Sequence, residues 1–247
     1  KDENNYPIIL VHGFMGWGRD EMAGYRYWGG KFDIEEYLTE NGFEVYTTSI
    51  GPVSSNWDRA IELFYQIKGG QVDYGKAHSD KFGITQKPSV KKFPGLYPEW
   101  DSDHPIHLIG HSMGGQTVRM LLYQLTHSIY SDSLDIILEE SDLLGEEHSD
   151  WVRSITSIST PHDGTTLSNI VTSTAPLLQD IIVLASAVGN DFYEFDLEQW
   201  KFNKSADEIW IDYFRRMREH PAWKTKNICS WDASINGAKE LNTLLTV

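Results

Sequence analysis

The chain has 247 residues and a formal charge of −15, from 21 basic and 36 acidic side chains. That charge excludes a protein that tracks nucleic-acid phosphates, which needs a basic face, and no polybasic segment is present to hold an anionic membrane. Hydrophobic residues at 40% and aromatics at 13% supply one large domain, residues 1–247, and exclude a disordered chain.

Residues 6–12 (YPIILVH) form an apolar run too short for a helix and are predicted as a buried parallel strand. Residues 32–40 are predicted helical, ended by Asn41-Gly42, a pair suited to a left-handed cap. Residues 43–50, rich in β-branched and aromatic side chains, form a second strand. Ser54 and Ser55 offer N-caps to a helix carrying Ala60, Ile61, Phe64 and Ile67, closed by Gly69-Gly70. Residues 105–110 are a third strand running into His111-Ser112-Met113-Gly114-Gly115. Beyond it Val118, Leu121, Leu122, Leu125 and Ile129 form the stripe of an amphipathic helix.

Residues 152–160 are a fourth strand, ended by Pro161-His162-Asp163-Gly164. Residues 167–188 are apolar and helical in character, with a break at Pro176, and 207–219 and 237–245 are predicted helices. Strand and helix alternate through the first 160 residues, so the class is α/β with a mostly parallel sheet. No further strand is predicted after residue 164. No apolar run reaches the roughly 18 residues of a membrane span. Cys229 is the lone cysteine, which excludes an intrachain disulfide and a cysteine-based zinc site. The chain opens at Lys1 without Met, as a processed chain does.

Gly110-His111-Ser112-Met113-Gly114 is a G-x-S-x-G between a strand and a helix. A serine on that tight turn exposes its hydroxyl above the sheet, and the flanking glycines are expected to admit the strained backbone. The Met113 N–H, at the helix N-terminus, then faces the oxyanion of an ester under attack. His12-Gly13-Phe14 follows the first strand directly, where the second oxyanion donor is expected, here the Phe14 N–H; a plain structural turn fits those three residues equally well. A serine hydrolase also needs a histidine base and an acid to orient it. Of the histidines after Ser112, His127, His148 and His220 read as surface residues. His162-Asp163 follows the fourth strand, but adjacent residues do not readily line up as Ser–His–Asp. The catalytic acid and base are not assigned.

Seven motifs, HGFMGWG, YRYWGG, GPVSSNWDRA, GGQVDYGKAH, IGHSMGGQT, ISTPHDGTTL and the closing WD…GAKELN, run in this order from Tyr6 to about Leu241. Together they resemble the secreted lipases of Bacillus, Geobacillus and staphylococci, bacterial lipase family I.5. The resemblance implies an α/β-hydrolase fold, a helical lid over about 165–200, a small metal-holding subdomain and an extracellular location. It also implies acylglycerol hydrolysis at an oil–water interface, with Ser112 as nucleophile and Phe14 and Met113 as oxyanion donors. The family's acid, histidine and calcium ligands map beyond residue 247, so the chain resembles the front portion of such a lipase.

The family's zinc is held by two Asp and two His. Asp58, His78 and Asp232 match three of them, whereas the fourth position, six residues after His78, is Ile84. Two carboxylates and one imidazole leave one of zinc's usual four positions open; the other reading is a helix-capping Asp58 and a plain loop His78. The apolar stretch around Leu177, Leu178, Ile182 and Leu184 reads as buried core by periodicity and as a lid by resemblance. The expected activity is that of a triacylglycerol lipase working through an acyl-enzyme. The alternatives are a short-chain esterase, a phospholipase or a non-catalytic lipid binder.

Overall fold

Strand β1 (Ile8–Val11) is four apolar residues with no polar face, as a strand covered on both sides requires. It pairs in parallel with β2 (Val45–Thr47). A short antiparallel ladder that the sequence did not announce joins β3 (Gly70–Gln71) to β4 (Lys92–Phe93). On its other side β1 pairs in parallel with β5 (Ile106–His111), and β5 with β6 (Val152–Ile158), giving the order β2-β1-β5-β6. The structure, a computed structural model, describes residues 5–127, 141–166, 179, 182–183 and 193–245. Most of the stretch expected to form the lid lies outside the described residues.

Helix boundaries follow their caps. Asp33 accepts the Glu36 N–H at the start of α1 (Ile34–Glu40). Ser55 Oγ accepts the Asp58 N–H at 3.1 Å to open α2 (Asn56–Lys68), which ends at Gly69 with φ +93°. A short α3 (Lys76–Phe82) carries His78 and was not predicted. The elbow helix is α4 (Met113–Thr126). Later come α5 (Trp210–Arg218), α6 (Cys229–Asp232) and α7 (Ile235–Leu244), the last capped by Ser234 Oγ on the Gly237 N–H. Helices α2 and α4 pack on each other, and Ile61, Phe64, Val118, Leu121 and Leu125 are buried with Ile9, Val11 and Leu108 of the sheet.

Two strands differ from expectation. The second is shorter than predicted, because the Ser49 and Ile50 N–H groups leave the ladder for Gln66 Oε1 and His12 Nε2. The fourth ends at Ile158, two residues earlier than predicted; none of its seven residues is buried and five are exposed.

Candidate active site

Ser112 sits between the last residue of β5 and the first of α4, with φ +54° and ψ −127°. A side-chain-bearing residue at positive φ is uncommon, and here the surrounding chain holds it: its N–H donates to the Ile158 carbonyl at 2.8 Å. The expected role of the flanking glycines needs correction. Neither Gly110 nor Gly114 has a positive φ; Ser112 itself carries the strained conformation. The glycines are there for close approach: a methyl on Gly114 would lie 2.3 Å from the Val11 carbonyl oxygen, and one on Gly110 2.4 Å from Gly114.

The His12-Gly13-Phe14 turn lies against this elbow. A methyl on Gly13 would stand 2.8 Å from Ser112 Cβ and 3.2 Å from the Met113 nitrogen. Among the described residues neither the Phe14 N–H nor the Met113 N–H has a hydrogen-bond acceptor. Among the described residues these two N–H groups, one directly after Ser112 and one directly after Gly13, are therefore donors left without a protein partner.

Buried polar contacts hold the turn. Arg59 of α2 is fully buried and donates to the His12 carbonyl, to the Gly51 carbonyl at 2.7 Å and to Thr117 Oγ1 at 3.0 Å. Burial, with Arg59 adding to it, pushes the His12 pKa down to about 3. The ring is therefore neutral at ordinary pH, and its Nε2 accepts the Ile50 N–H at 3.2 Å. Tyr27 makes the remaining link: its hydroxyl oxygen accepts the Gly13 N–H at 3.0 Å and lies 2.6 Å from His111 Nδ1, beside the serine. Tyr27 stands inside YRYWGG, but nothing in its local sequence marks it for this contact.

No described histidine is set as a base for Ser112. His162 Nε2 faces Ser157 Oγ at 3.0 Å and its Nδ1 accepts from Arg119 at 3.3 Å. His127, His148 and His220 use ring nitrogens on Tyr123 O, Asp142 O and the Ala222 N–H.

The three expected zinc ligands come together, but not as a metal centre. His78 Nε2 bonds Asp58 Oδ1 directly at 2.7 Å, while Asp58 Oδ2 accepts from Asn227 Nδ2 at 3.0 Å and Gln199 Nε2 at 3.3 Å. Asp232 Oδ2 accepts the Asn56 N–H at the start of α2, and burial, followed by the Asp58 charge, pushes its pKa up to about 7. Ile84 is buried in the apolar core. Among the described residues no group of three or more His, Cys, Asp or Glu has a metal-holding arrangement. Amide N–H donors take Asp58 Oδ2, and Asp58 Oδ1 and His78 Nε2 are bonded to each other rather than turned to a shared ion, so the residues as arranged do not fit zinc.

A parallel sheet flanked by helices, with a serine on a strained strand-to-helix turn, defines an α/β protein of the kind found in lipase structures. Residues 4–247 match the family model described as "Lipase-like, C-terminal domain", and the chain belongs to that family of bacterial lipases. Lipase 1 of Staphylococcus aureus is 38% identical over 97% of this chain and 36% of its own length. The crystal structure of Staphylococcus hyicus lipase is 33% identical with a TM-score of 0.88, covering 98% of this chain and 64% of that one. EstA from Clostridium botulinum is 43% identical with a TM-score of 0.81, covering 98% and 57%. The chain thus spans about a third of the curated relatives and under two thirds of these solved structures.

Proposed function

We propose that this chain is the nucleophile-bearing portion of a secreted triacylglycerol lipase with an α/β-hydrolase fold. Ser112 Oγ attacks the ester carbonyl, its proton passes through the histidine base to the departing glyceride alcohol, and water then cleaves the acyl-enzyme to the free fatty acid and Ser112, while the Phe14 and Met113 N–H groups take the oxyanion of each tetrahedral intermediate. The histidine base and its acid come from outside the described residues, and no step runs through zinc. One observation carries the reading: Ser112 at φ +54° on the elbow, with the Gly13 turn packed against it. The names of the relatives, lipases of staphylococci, support acylglycerols as the substrate class.

The test is covalent labelling by a fluorophosphonate, followed by turnover of tributyrin, in the longest form the gene encodes. Wild type is expected to label at one site. Ser112→Ala is expected to lose both labelling and at least about a thousandfold in turnover while keeping its fold. Stoichiometric labelling that persists in Ser112→Ala overturns the assignment.

A further inference from the structure

The turn that carries the Phe14 N–H also carries a sulfur that the proposed reaction does not use. The Gly16 N–H donates to the Gly13 carbonyl at 3.1 Å and closes a four-residue turn with Met15 in its third position. Met15 has φ +54°, a conformation that such a turn usually leaves to Gly or Asn. Two contacts hold it there. Its N–H donates to the Pro52 carbonyl at 3.0 Å, and the Tyr193 hydroxyl reaches both the Met15 Sδ, at 3.8 Å, and the Gly16 carbonyl, at 3.3 Å. That hydroxyl has one proton for two acceptors, and the thioether is the weaker of them. The turn has no slack behind it, since a methyl on Gly16 would lie 2.4 Å from His12 Nδ1. Of the five methionines, Met113, Met120 and Met217 are 2%, 6% and 1% exposed, whereas Met15 and Met22 are partly open to solvent.

We propose that Met15 is an oxidation site through which hydrogen peroxide reversibly disables the turn that presents the Phe14 N–H. A lone pair on Sδ attacks one peroxide oxygen, the S–O bond forms as the O–O bond breaks, and the sulfur gives up two electrons. The proton left on the transferred oxygen passes through solvent to the departing hydroxide, so the products are methionine sulfoxide and water. The sulfoxide oxygen is a strong acceptor, one bond from the sulfur that Tyr193 already meets. It draws the Tyr193 proton away from the Gly16 carbonyl. The peptide leaving the turn then loses its donor, and the Phe14 N–H at the other end of the same turn loses its aim. Met22 is the internal control, because it lies in the separate turn Met22–Gly24. The effect on turnover rests on the reading of the Phe14 N–H as an oxyanion donor, whereas the place of oxidation does not.

Peptide mass spectrometry after brief exposure to hydrogen peroxide tests the proposal in the longest form the gene encodes. Met15 and Met22 are expected to gain one oxygen each well before Met113, Met120 and Met217 do. Turnover of a soluble ester is expected to fall by about tenfold, less than the loss of a whole oxyanion donor costs. The fall should follow the oxidation of Met15 and not that of Met22, and methionine sulfoxide reductase should reverse it. Met15→Leu is expected to keep its activity under peroxide, and Met22→Leu to lose it as wild type does. Tyr193→Phe has no proton to surrender, so oxidation there should cost no more than about threefold. A Met15 that resists peroxide overturns the proposal, as does a fully oxidised Met15 with turnover unchanged. So does a Met15→Leu protein inactivated at the wild-type rate. If Ser112→Ala still labels with a fluorophosphonate, the hydrolase reading fails by itself. The proposal is then decided by the order of oxidation and by a Tm that peroxide lowers in wild type but not in Met15→Leu.

Discussion

Tyr27 is the residue through which the two halves of the candidate oxyanion hole are tied, because its one hydroxyl meets both the Gly13 N–H and His111. Removing that oxygen leaves the Gly13 N–H without its acceptor, a penalty of about 1–3 kcal/mol for a buried donor. The strain falls on the peptide that precedes the Phe14 N–H. Tyr27→Phe is therefore expected to lower kcat for a soluble ester by about tenfold, with KM within about twofold, since the oxyanion forms only in the transition state. Steady-state kinetics in the active form of the protein, alongside a thermal melt, check this. An unchanged kcat with a lowered Tm reduces Tyr27 to a packing role. Ser112 and Gly13 were legible in the sequence because each lies in a short local motif at a strand end. Tyr27 was not, because its role depends on meeting a residue 84 positions away, and no spacing rule encodes that contact.

At the scale of elements, Ser55 was legible as a cap and does open α2, whereas Asp33 and Ser234 cap helices whose expected starts, 32 and 237, lie two residues away from the observed ones. The sequence missed α3 and the β3–β4 ladder, which are too short to carry a period. The expected zinc set shows the other limit. Asp58, His78 and Asp232 were expected to share a metal; His78 instead bonds Asp58 directly, and the further partners of Asp58, Gln199 and Asn227, stand 141 and 169 residues from it. The result is a hydrogen-bonded clasp of α2, α3 and α6, in which Asp232 accepts the first N–H of α2 and favours the positive end of that helix. A clasp already satisfied by amides gains little from a cation. Purified protein is expected to hold well under one zinc per chain, and EDTA to shift Tm by less than roughly the few degrees that 1 kcal/mol produces in a domain this size. Ile84→His adds a nitrogen ligand and should make the melt respond to added zinc. Stoichiometric zinc in the wild type, with a large fall in Tm on chelation, would show that the amides yield to the metal.

For the whole molecule the decisive feature is the far edge of the sheet. Within the described residues β6 pairs only with β5, and its outer N–H and C=O groups are open along seven residues, none of them buried and Ile158 42% exposed. An open, long edge strand is a template for pairing with another chain. The solved relatives extend well beyond the part this chain matches, which covers 57% and 64% of two of them. Residues 1–247 expressed alone are therefore expected to self-associate and to leave tributyrin unhydrolysed, as size exclusion with light scattering and a titrimetric assay would record. Thr156→Lys, which sets a charge on an exposed position of that strand, should reduce the association without restoring activity, because repelling a neighbour supplies no base to Ser112. The two readouts separate edge exposure from catalysis. A monodisperse, cooperatively melting 247-residue protein that hydrolyses tributyrin would overturn both expectations. His162 would then have to leave Ser157 and Arg119 to act as the base, and His162→Ala should abolish the hydrolysis.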